Sequence, residues 1–378
     1  MRRTPALIVG GGPAGAVAAM LLARAGAEHL LLERNVETGD ALCGGFLSWR
    51  TLDTLSRLGI DPADLNPAEV GEVRLFAGAL IASARLPRPA RAVSRRRLDS
   101  LLLARAVRDG AAIERGAVAV DAQGDTIRLR DGGAIGTPAL FLATGKHELR
   151  GLARPDSARG SDPSLGLRVR LGPSPGLDRL VGAAIELHLF DAGYAGLVRQ
   201  EDGAINLCMA VHRSRLAGAG SPEALLTAIG QESPALGERL SWRSSGGGID
   251  AVANVPYGWR AKRGVGGLFR LGDQAGVIPS LAGEGMGIAL ASAVRAAQAY
   301  LRGGPAASVA FQERLARDLA RPIGIATLIR RAAESPRVAP WLIRGGSAAP
   351  ALIPLVARLT RIGHSPIDGF DIAQENRA

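Results

Sequence analysis

The chain has 378 residues, 47% of them hydrophobic and 4% aromatic, with a formal net charge of +11. That length and apolar fraction allow a large core, in two domains or one elaborated domain. The positive charge is dispersed arginine, lysine being confined to Lys146 and Lys262, and the scarcity of aromatic stacking surfaces with no reader motif excludes nucleic acid as a partner.

The first elements read as strand, turn, helix, strand. Residues 6–9 are a short apolar run ending in glycines, as expected of a buried parallel strand. Residues 13–25 are rich in Ala and Leu and helical, and Gly26 stands where a helix stops. A second strand over 29–32 closes at Glu33. Arg2 and Arg3 before this apolar stretch mimic a signal peptide, but Gly10, Gly11, Gly12, Pro13 and Gly15 do not suit a spanning helix. Two isolated thiols, Cys43 and Cys208, form no CxxC pair and fit a reducing, cytoplasmic setting.

Further along, 48–58 reads as a helix stopped by Gly59, and 73–86 as two short strands followed by a return loop at Pro87 and Pro89. A helix over 95–108 is followed by short strands over 112–114, 118–121 and 126–130, with a turn at Asp131-Gly132-Gly133. A buried strand over 140–143 runs into Thr144-Gly145. Strand-like alternation dominates 165–255, for example over 184–189 and 204–211, with one helix near 222–230. A strand over 268–271 and a long helix over 283–301 return to the opening style, and helices follow Pro305.

Two motifs carry the chemistry. Gly10-Gly11-Gly12-Pro13-Ala14-Gly15 is a GxGxxG placed after a strand and opening a helix. Gly10 permits the tight turn, Gly12 lets the backbone approach a pyrophosphate at the helix N-terminus, and Gly15 lets helix and strand pack closely. Glu33 lies at the spacing expected of a carboxylate that binds a ribose 2′-hydroxyl, which disfavours a 2′-phosphate at this site. The second motif is Gly272-Asp273 after a strand, then Pro279 and the run Gly283-Glu284-Gly285-Met286-Gly287.

With both motifs in place, the sequence resembles the superfamily of FAD-dependent hydroxylases and geranylgeranyl reductases, whose fold is that of p-hydroxybenzoate hydroxylase. The resemblance implies an α/β chain. Its Rossmann-like, glutathione-reductase-type FAD domain takes in 1–70, 95–160 and 265–305; a sheet-rich substrate domain takes in 71–94 and 160–265; a helical region closes 306–378. It implies one FAD site split across the chain. Asp273 holds the ribityl hydroxyls, with Gly272 beside it. Pro279, Gly283, Gly285, Met286 and Gly287 line the isoalloxazine ring, and Arg95 approaches the phosphates. Arg34, next to Glu33, and Val118 join the expected cofactor contacts, with Ala143, Thr144 and Gly145, which stand where hydroxylases carry an Asp-Gly pair tied to FAD and nicotinamide.

Cys43-Gly44-Gly45 is similar to a loop of geranylgeranyl reductases, which makes Cys43 a flavin-facing candidate for catalysis and Gly44 a cofactor contact. Tyr194-Ala195-Gly196 resembles their substrate strand, with Gly196 in place of a Trp, so Tyr194 and Gly196 are the expected substrate residues. Three readings stay open: monooxygenation of a hydrophobic or aromatic small molecule with NAD(P)H and oxygen, saturation of a carbon–carbon double bond, and non-catalytic binding. The flavin halogenase motif Trp-x-Trp-x-Ile-Pro is absent. His29, His147, His188, His212 and His364 form no HxH or HExxH pair, so no metal is expected. Peripheral membrane contact through the helices after Pro305 is compatible with the sequence, which leaves the oligomeric state open.

Overall fold

The computed structural model describes residues 1–244 and 247–363; His364 lies outside the described residues. A five-stranded parallel sheet takes its strands in the order Leu268–Arg270, Ala139–Leu142, Ala6–Val9, Leu30–Glu33 and Ile113–Arg115. Its central strands are buried on both faces, and the alternation of side chains divides them between two cores. Ala6 and Ile8 point into a large core with the helices Pro13–Arg24, Arg95–Arg108 and Gly285–Gly303. Leu7 and Val9 point the other way, onto Ile127, Leu129 and Ile135 of a small four-stranded sheet.

The remaining sheet has eight strands, in the order Ile249–Val255, Ser164–Leu171, Ile205–His212, Gly193–Arg199, Ala184–Phe190, Val70–Ala77, Leu80–Ala92 and Phe46–Leu47. One face, with Leu167, Val169, Leu197 and Leu207, is covered by the helices Pro175–Val181, Pro222–Glu232 and Pro234–Leu240. From the opposite face Asn206 and Cys208 reach the backbone of Cys43 and Gly44. Ser308–Asp318, Ala320–Ala333, Ala339–Ala348 and Leu352–Leu359 then close the molecule. Among the described residues, no single helix is long and apolar enough to cross a membrane.

Three sequence expectations change. Leu80–Ala92 is one strand that runs through Pro87 and Pro89 rather than ending in a return loop there. The pairing skips from Glu72–Arg85 to Val70–Ala90, so both prolines sit where no ladder N–H is required. Phe46–Leu47, expected with the dinucleotide half, pairs with Ala92 and Arg91 and joins the eight-stranded sheet. The late helix begins at Gly285, because Gly283 adopts a left-handed conformation (φ 61°) that ends the preceding 3-10 turn.

Candidate cofactor and substrate site

The first helix starts without a cap. Gly12 precedes it with no side-chain hydrogen bond and no acid stands in its first turn, so its leading amides are open to an anion. The glycines here are dictated by contact. A Cβ on Gly10, at φ 107°, would lie 2.5 Å from the Ala143 carbonyl oxygen, and one on Gly15 would run into the Gly10 carbonyl. A Cβ on Gly12 would meet the Arg95 guanidinium at 3.1 Å, so Arg95 stands over the helix N-terminus. Burial works against charge on Arg95, yet the bidentate Asp99 carboxylate (2.7 and 2.8 Å), with Cys43 and Asp273 farther off, holds its pKa above the usual value. Glu33 accepts the Gly11 N–H at 2.7 Å and the Asn35 N–H at 2.9 Å, placing its carboxylate at the glycine turn.

The second motif closes on the first. A Cβ on Gly272 (φ 53°) would touch the Ala14 side chain at 3.6 Å, and the Gly272 N–H is held by Ser292 Oγ at 2.9 Å. Asp273 is half-buried beside Arg95, and among the described residues its carboxylate has no hydrogen-bond partner, while its carbonyl accepts from Arg154 at 2.8 Å. Arg154 also binds the Gly145 and Lys146 carbonyls, and Gln274 donates to those of Gly145 and His147. The turn at Thr144-Gly145 is thereby tied to the Asp273 loop. Arg34 donates to His147 Nε2 at 2.9 Å at the rim of this turn. Val118 lies farther along, its carbonyl bound by the Arg130 N–H.

The Cys43 loop is fastened to the eight-stranded sheet. Asn206 donates to the Cys43 and Gly44 carbonyls (2.9 and 3.0 Å), the Cys208 thiol donates to the Cys43 carbonyl, and Arg168 grips Asp40. Burial pushes the Cys208 thiol up to about 12, so it stays protonated and serves as a donor. Cys43 itself is half-buried against the large core.

On that same sheet face, cross-strand partners line up as Leu75, Leu187, Gly196 and Cys208. Leu75 and Leu187 are half-buried, and a Cβ on Gly196 would meet nothing closer than 3.5 Å. Tyr194, two residues before Gly196, is buried, and its hydroxyl bonds Ser280 Oγ (2.7 Å) and the Leu281 N–H (3.1 Å). Its hydroxyl therefore helps to hold the loop from Pro279 to Gly283. Tyr257 binds the same Ser280 hydroxyl at 2.9 Å. Gly196 thus faces the interval between two anchored loops.

Sequence reasoning missed the other anchor of that loop. Arg361 donates to the Ala282 carbonyl at 2.5 Å and pairs with Glu284 at 3.1 Å, both side chains nearly devoid of exposure. Glu284 folds back over Gly287, where a Cβ would lie 2.5 Å from its carboxylate, and accepts from Ser48 and the Ile362 N–H. Burial raises the Glu284 carboxyl and lowers the Arg361 guanidinium despite their mutual attraction. An acid between glycines at a helix start was visible in the sequence; nothing local marked Arg361 or Arg154.

Residues 3–134 match the family described as FAD binding domain. The menaquinone reductase of Mycolicibacterium smegmatis is 30% identical over 162 residues, a stretch that spans 39% of this chain and 39% of that relative. The fold is shared with PqsL, a probable FAD-dependent monooxygenase from Pseudomonas aeruginosa, at TM-score 0.68 and 16% identity, covering 89% of this chain and 98% of that one. The flavin-dependent brominase Bmp2 superposes at TM-score 0.69 and 17% identity, covering 95% and 93%. The structure brings the uncapped first helix, the Arg95 cation and the Asp273 carboxylate to one place. Residues 3–134 thus carry the pattern of an FAD binding domain, and the chain as a whole shares the fold of these flavoproteins.

Proposed function

We propose that the protein is an FAD-dependent monooxygenase acting on a hydrophobic or aromatic small molecule, with NAD(P)H as electron donor. The observation that carries this reading is the row of Leu75, Leu187 and Gly196 on the sheet, between the Cys43 loop and the loop from Pro279 to Gly283, with the nearby Cys208 thiol and Tyr194 hydroxyl already engaged in hydrogen bonds. Bound FAD supplies the two-electron chemistry and, when reduced, the reaction with oxygen, so the protein's part is to bind, orient and keep water out. In this reading Gly10, Gly12, Pro13, Ala14 and Gly15 with Arg95 take the pyrophosphate, and Glu33 the adenosine ribose. Asp273 takes the ribityl chain. Pro279, Gly283, Gly285, Met286 and Gly287 flank the ring. Gly196 gives the substrate room.

Saturation of a carbon–carbon double bond is the second reading. The stretch shared with menaquinone reductase supports it, as does the Cys43-Gly44-Gly45 loop. Mass analysis of products decides between them. Purified protein is supplied with NADH or NADPH and with phenolic, polyketide and polyprenyl compounds, in air and under argon. Monooxygenation adds one oxygen atom from O2 and stops under argon. A product gaining two hydrogens without oxygen assigns the reductase.

A further inference from the structure

We propose that the two C-terminal helices, Ala339–Ala348 and Leu352–Leu359, dock the protein on the surface of a bilayer that contains anionic phospholipid. Their outward rows repeat one pattern. Val338, Trp341 and Arg344 stand at i, i+3 and i+6, and Leu352, Leu355 and Arg358 do the same. Trp341 is 66% exposed and Leu352 and Leu355 are each 49% exposed, a cost in water that a buried partner would remove. The inward row of the first helix, Ala339, Ile343 and Gly346, is buried, so the outward row is not the packing face of the fold.

The charges point to the partner. From Ser335 to Gly363 the chain carries no acid, and Arg337, Arg344 and Arg358 are exposed, while Arg361 is buried against Glu284. Arg344 lies 5.0 Å over the Trp341 ring, an arrangement suited to the headgroup level of a membrane. Arg358 also borders an open cleft of about 550 Å3 lined by Arg50, Arg295, Arg321 and Arg361, in which Asp318 pairs with Arg295 and Arg361 pairs with Glu284. Lipid phosphates answer this field, whereas a second copy placed face to face would bring like charges together. The helices are bent 115° to each other and neither is long enough to cross, so they lie in the interface with arginine stems snorkelling. On the inner side, Leu342 and Ile353 pack into the cluster that holds Tyr194, Leu75 and Leu281. Delivery of an apolar substrate from the bilayer to that cluster rests on the function proposed above; the docking does not.

Co-sedimentation of the full-length, FAD-loaded protein with sucrose-filled vesicles tests the docking. Vesicles of phosphatidylcholine with added phosphatidylglycerol should pellet the protein, and high salt should release it. Arg344→Gln with Arg358→Gln should lower the partition about thirtyfold, and Trp341→Ser with Leu355→Ser about tenfold or more, each variant keeping its flavin absorbance. No pelleting with anionic vesicles, or equal partition of both variants and the parent, overturns the proposal. So does a concentration-dependent, lipid-free dimer abolished by Trp341→Ser with Leu355→Ser when no vesicle binds, which gives the face to a second copy.

Discussion

Gly15 and Gly196 are the same residue under opposite constraints. At Gly15 the first helix crosses so close to the Gly10 carbonyl that any side chain collides with backbone. At Gly196 the nearest atom to an added Cβ is the tip of Leu187, at an ordinary 3.5 Å. In the dinucleotide cradle the backbone itself is the recognition surface, so composition is forced. On the sheet face the side chains are the surface, and a glycine there leaves volume that another residue can take. In the function proposed above, the cradle serves one fixed ligand, and the sheet a substrate set by whichever side chains project from it.

The largest expected effect tests the rigid half of this contrast. Gly15→Val forces the helix off the strand, and because the obstacle is backbone it cannot relax. Loss of flavin from the purified protein and destabilisation of about 3 kcal/mol or more are expected, read by visible absorbance and thermal unfolding. A Gly15→Val protein that purified yellow would break the comparison at its root.

Next comes the clamp joining the late loop to the chain's end. Arg361→Met leaves the Glu284 carboxylate buried without its cation and should cost about 3–5 kcal/mol in urea unfolding. Combining it with Glu284→Gln should restore most of that loss. Failure of the double variant to recover would mean that packing against Trp49, over whose ring Arg361 lies at 5.3 Å, carries the effect instead.

The sheet half should respond differently. Gly196→Phe fills the interval beside Leu187 and Cys208 without touching the cradle, so FAD content stays unchanged. KM for a bulky substrate should rise about tenfold, or the enzyme should shift to smaller compounds. Equal loss of flavin and activity would show that Gly196 belongs with the cofactor.

These contrasts also explain what could be read in the sequence. Gly10, Gly12 and Gly15 were legible because a short-range backbone rule fixes their spacing, and the strand and helix around them followed from local apolar pattern. Gly272-Asp273 was expected beside the first motif through resemblance, and Gly272 packs against Ala14. Tyr194 was expected at the substrate, but only the tertiary structure reveals that its hydroxyl is occupied by Ser280. The run of Leu80–Ala92 through two prolines was hidden because a skip in register, not composition, tolerates them. Arg361 and Arg154 act over separations along the chain at which no local pattern survives.

The smallest effect separates the two halves by pH. His29, just before the strand Leu30–Glu33, is buried; its Nδ1–H donates to the Ala27 carbonyl at 2.8 Å, and its Nε2 has no partner among the described residues. Burial, opposed only by that carbonyl, holds its pKa below the usual histidine value. The unfolded chain therefore takes up this proton more readily than the fold does. The stability contributed is full above about pH 6.5 and is lost as pH falls through the depressed folded value. His188, in the eight-stranded sheet, is lowered by burial too, but Glu186 at 3.2 Å pulls the other way. His29→Gln should consequently flatten the acid side of a stability profile measured by urea unfolding from about pH 8 to about pH 5, without removing it, since His147 and His188 shift in the same direction. An unchanged slope would mean that the dinucleotide half opens to solvent around His29 before the histidine titrates, and that the cradle is less rigid than its glycines demand.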